Sequence, residues 1–133
     1  MKFIVYTDGG ARGNPGPGAI GEVVKDKDGK VVKEVGKFIG KVTNNEAEYK
    51  AVAEGLRTCI EKGVVKELDF CIDSLLVVNQ LNGDFRVKDK KLRTFWNEVK
   101  ALEKNFKKVS YTHVPREKNF RADKIVNDVL DSL

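Results

Sequence analysis

The order of the hydrophobic patterns along the chain constrains its fold more than any other feature. Three strand-like runs come first, and helical and strand-like segments then alternate. The strand-like runs are Phe3 to Thr7, Ala19 to Lys25, Val31 to Ile39, Leu68 to Ile72 and Val109 to His113. The helical segments run from Asn45 to about Lys62, from Ser74 to about Leu81, from Lys90 to about Lys104, and onward from about Asn119. This order predicts a mixed α/β sheet with helices on its faces.

The length of 133 residues fits one domain, so residues 1–133 are interpreted as a single domain with one core. Hydrophobic residues make up 41% and charged residues 34%, which predicts a packed interior beneath an ionised surface. The sequence shows neither a bilayer-spanning apolar run nor the features of a signal peptide, so we expect a cytoplasmic protein that does not bind membranes. No spare apolar surface helix stands out, which favours a monomer.

The basic residues are unevenly distributed. The formal net charge is +5, and residues 86–108 contain nine basic and three acidic side chains. Such a segment can attract a polyanion such as nucleic acid, but a lysine-rich, solvated helix face has the same composition. The charge alone leaves both readings open.

Two of the strand-like runs end in aspartates. Asp8 follows the first run and opens a predicted loop rich in glycine and proline at residues 9–18, and Asp73 follows Ile72. Ligands bind outside the carboxyl ends of the strands in open α/β sheets, so we expect the two side chains to converge across one crevice. For each aspartate alone, a structural role in a turn or helix cap explains the pattern equally well.

Helix geometry distinguishes the other acidic candidates. At about 100° per residue, Glu46 falls beside Lys50 on the charged face, whereas Glu48 falls at the edge of the buried face. Both glutamates also match a capping box, so helix capping is an alternative role for each. In the last helix, Asp123 lies at the margin of the apolar stripe and is a fourth candidate inward carboxylate.

Four carboxylates in one crevice would repel one another unless a cation held them. Zinc prefers cysteine and histidine ligands, and the chain has one histidine and two widely separated cysteines. Mg²⁺ or Mn²⁺ suits carboxylate oxygens better. Two such ions can activate a water and stabilise a leaving oxygen, which is the chemistry of phosphodiester hydrolysis.

Four motifs together identify a family resemblance. They are TDGGARGNPGPGAIG at 7–21, TNNEAEY at 43–49, IDS at 72–74 and HVPREKNFRAD at 113–123. In this order and spacing they resemble type 1 ribonuclease H over nearly the whole chain. The resemblance implies the ribonuclease H-like fold, an α/β fold whose five-stranded mixed sheet has three antiparallel strands, then two parallel ones, and helices on both faces.

The resemblance also implies an activity. Members of the family are endonucleases that cut the RNA strand of RNA/DNA hybrids and leave 3′-hydroxyl and 5′-phosphate ends, using two Mg²⁺ or Mn²⁺ ions. The four family carboxylates correspond to Asp8, Glu48, Asp73 and Asp123, which agrees with the choice of Glu48 over Glu46 made from helix geometry. The family often places a mobile histidine that assists proton transfer or product release at the position of His113.

Substrate-binding roles follow from the same resemblance. The residues that correspond to the family's readers of RNA 2′-hydroxyls in the minor groove are Gly13, Asn14, Asn44 and Asn45. Thr43 and Lys41 resemble the family's pocket for a phosphate of the DNA strand, a contact that positions the hybrid without reading its sequence.

The chain departs from the better-known bacterial members at two places. Pro115 stiffens the loop after His113, so the role of this histidine is less firmly implied than those of the carboxylates. Residues 82–91 are too few for the extra helix and basic protrusion with which some members grip the hybrid.

Two alternatives accompany the nuclease hypothesis, because a fold does not fix a function: a non-catalytic hybrid-binding module, and a nuclease of the same fold that also acts on double-stranded RNA.

Overall fold

The computed structural model describes residues 1–63 and 66–133. The strands in this part of the chain are β1 (Lys2–Ala11), β2 (Gly16–Asp26), β3 (Val31–Val42), β4 (Glu67–Ile72) and β5 (Lys108–His113). The helices are α1 (Asn44–Glu61), α2 (Leu75–Leu81), α3 (Lys90–Glu103) and α4 (Phe120–Asp131), and a short 3₁₀ turn spans Arg116–Lys118. Within the described residues, no helix is both long and apolar enough to cross a membrane.

The strands form one five-stranded mixed sheet in the order β3-β2-β1-β4-β5. β1 pairs with β2, and β2 with β3, in antiparallel fashion, whereas β1 with β4 and β4 with β5 are parallel. The predicted ribonuclease H-like architecture is therefore confirmed.

Helices cover both faces of the sheet. On one face, α1 buries Tyr49, Val52 and Leu56 in the main hydrophobic core, which also contains Val5 of β1 and Phe70 of β4. Helices α2 and α3 pack into this same core. On the opposite face, α4 packs across β1, β2 and β3 and forms a smaller apolar cluster with β2. The α1 and α4 helices thus approach β1 from opposite sides.

The hairpin between β1 and β2 is longer than the sequence suggests. We predicted a loop over residues 9–18, but the strands remain paired as far as Ala11↔Gly18, and only residues 12–15 lie outside them. The prediction was wrong because it relied on the glycine and proline content, which is typical of loops. In the structure this stretch continues the hairpin, and the Pro17 carbonyl accepts a hydrogen bond from the Arg12 N–H at 2.9 Å. The predicted turn at Asp28-Gly29 is confirmed: Asp26 Oδ1 accepts from the backbone N–H groups of Asp28 and Lys30.

Candidate active site

Asp8 and Asp73 are brought together by the parallel pairing of β1 with β4. The register ends at Thr7↔Ile72, so the two aspartates are the next residues on neighbouring strands. Asp8 lies inside β1 because this strand continues alongside β2, while Asp73 lies immediately beyond β4. The predicted convergence at the carboxyl end of the parallel pair is confirmed.

Glu48 reaches the same place from the first turns of α1. Thr43 caps this helix through a complete capping box: its Oγ1 accepts from the Glu46 N–H at 3.2 Å, and Glu46 Oε1 accepts from the Thr43 N–H at 2.9 Å. Glu46 is thus occupied by the cap, whereas Glu48 Oε1 accepts from the Gly9 N–H at 2.5 Å. A side chain at Gly9 would place its Cβ 2.2 Å from the Ala47 carbonyl oxygen, so only glycine lets α1 lie this close to β1.

Asp8, Glu48 and Asp73 form a compact carboxylate cluster. One oxygen from each lies within 4.8 Å of the others. These residues line a cleft of about 410 Å³, referred to below as the carboxylate cleft. Asp123 of α4 also lines this cleft, although it lies outside the 4.8 Å cluster, and its Oδ2 accepts from Asn127 Nδ2 at 3.4 Å.

The cluster is electrostatically strained without a cation. Burial, together with the charges of Asp73 and Asp123, raises the pKa of Asp8 to about 7. Burial and the charges of Asp8 and Asp73 raise the pKa of Glu48 well above its usual range. The pKa of Asp73 is also raised, mainly by burial, although the charge of Arg116 and the nearby Asn119 side chain act in the opposite direction.

The donor set fits a hard divalent cation. Asp73 Oδ2 is fully buried and has no hydrogen-bond partner in the described part of the chain. A buried carboxylate oxygen left in this state is costly unless a cation coordinates it. Oxygen ligands from three carboxylates suit Mg²⁺ or Mn²⁺, and they do not suit zinc as well.

Two further residues of this region were not recognised from the sequence. Arg116, in the 3₁₀ turn, lines the carboxylate cleft and its charge acts on Asp73. Asn119 is only 2% exposed, and its Nδ2 donates to the Thr7 carbonyl at 2.8 Å, which ties the start of α4 to β1. Both residues lie within the motif at 113–123, but a basic residue and an amide in a turn give no periodic signal.

The predicted substrate-binding residues lie beside the carboxylate cleft. Asn14 Oδ1 accepts from the Asn44 N–H at 2.9 Å, and Asn44 Oδ1 accepts from the Ala11 N–H at 2.9 Å, so the hairpin tip is joined to the start of α1. Asn44 and Asn45 line both the carboxylate cleft and a larger cleft of about 730 Å³. This second cleft is lined by Asn14, Pro15, Lys41, Thr43, Asn44, Asn45, Glu46, Asp89, Lys91 and Leu92.

Gly13 and His113 are placed differently from the other candidates. Gly13 lies at the hairpin tip with φ +94°, and it is not among the residues that line either cleft. His113 ends β5 opposite Ile72 and is exposed. It lies one strand beyond Asp73 and is not among the residues that line the carboxylate cleft, so the structure brings together the carboxylates but leaves this histidine at the side.

Known proteins resemble this chain in both sequence and structure. The model of the reverse transcriptase-like family matches residues 6–129. The chain is 39% identical over 133 residues to the bifunctional protein Rv2228c of Mycobacterium tuberculosis, covering 99% of this chain and 36% of that protein. It is 42% identical over 130 residues to ribonuclease HI of Halobacterium salinarum, covering 98% of this chain and 65% of that protein. The chain therefore spans about one third to two thirds of the length of these relatives.

Two solved structures are similar to this chain over all or nearly all of their length. The RNase H1 of the halophilic archaeon Halobacterium salinarum superimposes with a TM-score of 0.96 at 40% identity, covering 100% of both chains. LC11-RNase H1, solved in complex with an RNA/DNA hybrid, gives a TM-score of 0.94 at 39% identity, covering 98% of this chain and 97% of that one. The chain thus belongs to the reverse transcriptase-like family and, within it, to the type 1 ribonucleases H.

Proposed function

We propose that this chain is a metal-dependent endonuclease that hydrolyses the RNA strand of RNA/DNA hybrids and leaves 3′-hydroxyl and 5′-phosphate ends. The observation that carries the proposal is the cluster of Asp8, Glu48 and Asp73, whose oxygens lie within 4.8 Å of one another in an open cleft. The solved relative with an RNA/DNA hybrid bound supports the choice of substrate.

The cation site would be formed by the three clustered carboxylates, with Asp123 lining the same cleft. Two Mg²⁺ or Mn²⁺ ions, when bound there, would lower the pKa of a water and stabilise the charge on the leaving oxygen. The same ions would offset the burial and the mutual repulsion that raise the pKa values of Asp8 and Glu48.

The chain's own residues hold this arrangement in place before substrate arrives. The Gly9 N–H fixes one oxygen of Glu48, and Asn119 ties the start of α4, and hence Asp123, to β1. Arg116 supplies a positive charge at the cleft, where it can attract a backbone phosphate. Catalysis by proximity and orientation requires the reacting groups to be held rigidly in this way.

Recognition of RNA is assigned to the asparagines at the hairpin tip and at the start of α1. Asn14 and Asn44 use their side-chain oxygens as acceptors from backbone N–H groups. Their amide nitrogens can then donate to a 2′-hydroxyl, the group that distinguishes RNA from DNA. Asn44 and Asn45 line the carboxylate cleft as well, so recognition and cleavage would occur on adjacent nucleotides.

A panel of substrates tests the proposal. One labelled RNA strand is presented alone, paired with DNA and paired with RNA, with Mg²⁺, Mn²⁺ or a chelator, and the product ends are identified by mass spectrometry. We expect cutting of the hybrid alone, only with metal, and 5′-phosphate products. Cutting of the RNA duplex as well would support the broader nuclease, whereas tight hybrid binding without any cutting would refute the enzyme and identify a binding module.

A further inference from the structure

The second cleft, where a phosphate of the nucleic acid would bind, is lined by two acidic residues, Glu46 and Asp89. It adjoins the carboxylate cleft through Asn44 and Asn45, which line both, so a nucleic acid lying in one cleft continues into the other. Lys41 and Lys91 supply positive charge in the second cleft, but Glu46 lines it as well. A phosphate entering the second cleft would meet this carboxylate unless its charge were compensated.

Glu46 is retained in this position by its structural role. Its Oε1 accepts from the Thr43 N–H at 2.9 Å to complete the capping box of α1. Its side chain is only 6% exposed, so water screens its charge poorly. The helix cap therefore places a negative charge at the wall of the second cleft.

Lys91 provides the compensating charge from a different helix. It lies in the first turn of α3, and its Nζ is 3.2 Å from Glu46 Oε2. The Lys91 side chain is 70% exposed, so its ammonium group can face the solvent of the cleft while it remains paired. Asp89, the other acidic residue of the cleft, is engaged as the N-cap of α3, where its Oδ1 accepts from the Leu92 N–H at 2.9 Å.

We propose that Lys91 is a positioning residue for a backbone phosphate of the nucleic acid, and that it acts chiefly by neutralising Glu46 in the second cleft. The inference rests on the proposed function, because it takes nucleic acid as the ligand. It assigns to the start of α3 a role in binding that does not require a basic protrusion between α2 and α3.

The test distinguishes neutralisation of Glu46 by Lys91 from a direct contact between Lys91 and the nucleic acid. The variants are Lys91→Ala and the double variant Lys91→Ala with Glu46→Gln, since glutamine also completes a capping box. The control is the pair Lys37 and Glu54 on β3 and α1, whose Nζ and Oε1 atoms are 3.0 Å apart and which line neither cleft. Lys37→Ala, alone and with Glu54→Gln, makes the same charge changes away from the clefts.

Binding of a fluorescent RNA/DNA hybrid is measured by anisotropy in chelator, so that the readout does not depend on cleavage. We expect Lys91→Ala to weaken binding roughly tenfold or more, and the added Glu46→Gln to restore it to within about threefold of wild type. In cleavage assays with metal, Lys91→Ala should raise KM and leave kcat unchanged. The control variants should bind like wild type.

Two results would overturn the inference. Binding by Lys91→Ala that matches Lys37→Ala would show that Lys91 has no role, and a double variant as weak as Lys91→Ala would show that Glu46 is not what Lys91 compensates. Failure of the proposed function looks different: wild-type protein would then bind hybrid and cut nothing with metal. Wild-type protein that bound no hybrid would refute both.

Discussion

Replacing Asp8 by asparagine should stabilise the metal-free protein at the same time as it removes a proposed ligand. Asp8 is 8% exposed, and burial and the neighbouring carboxylates raise its pKa from 3.8 to about 7. That difference corresponds to about 4 kcal/mol of folding free energy. Because the folded-state pKa is raised, the wild-type protein has this stability below pH 3.8 and loses it as the pH rises toward 7.

The assay is urea unfolding in chelator between pH 4 and pH 8. We expect Asp8→Asn to be more stable than wild type at pH 8 by up to about 4 kcal/mol, and the difference to shrink as the pH falls toward 4. Asp128→Asn, at an exposed residue paired with Lys124, is the control and should change stability by less than about 1 kcal/mol. Equal or lower stability of Asp8→Asn at pH 8 would refute the electrostatic strain inferred for the cluster.

Three further changes address other parts of the molecule. Burial raises the pKa of Glu22 from 4.5 to about 7, so this residue should cost wild type about 3 kcal/mol of stability as the pH rises through this range. In urea unfolding, Glu22→Gln should reduce the pH-dependent loss by that amount and leave the part due to the carboxylate cluster; an unchanged slope would contradict this. Arg116→Ala should lower kcat/KM on the hybrid about tenfold, as measured by initial rates, because it removes the positive charge beside Asp73; unchanged rates would exclude the role. His113→Ala should lower kcat about tenfold or more with KM unchanged if the histidine assists proton transfer, and an unaltered kcat would show that it does not.

The carboxylates of the site were predictable because regular geometry positions them. Asp8 and Asp73 follow parallel-paired residues, and the register Thr7↔Ile72 places them side by side. The helical angle of about 100° per residue correctly identifies Glu48 as inward-facing. It places Glu46 on the charged face, which was wrong: Glu46 is buried because its side chain completes the capping box of α1. Strand ends and helix faces are local properties, so the sequence alone reveals them.

The remaining features depend on contacts that local patterns do not encode. The β1–β2 hairpin extends through a glycine- and proline-rich stretch because the backbone of β1 pairs with that of β2 there. This pairing cannot be predicted from the composition of the stretch. Asn119 does not cap α4 with its side chain but donates to the Thr7 carbonyl, 112 residues away in the chain. The pairing of Lys91 with Glu46 likewise joins two helices that are distant in sequence.

Cleavage of an RNA/DNA hybrid by Asp73→Asn, compared with wild type and with Asp69→Asn, tests most directly whether the carboxylate cluster is the active site. Asp69 lies on β4, the strand that Asp73 follows, and its Oδ1 accepts from the Ser110 and Thr112 side chains, so its variant repeats the chemical change away from the cleft. We expect wild type and Asp69→Asn to cut the RNA strand with Mg²⁺ and not in chelator, and Asp73→Asn to bind the hybrid without cutting it. Cutting by Asp73→Asn at the wild-type rate, or cutting by wild type in chelator, would contradict a metal-dependent active site at Asp8, Glu48 and Asp73.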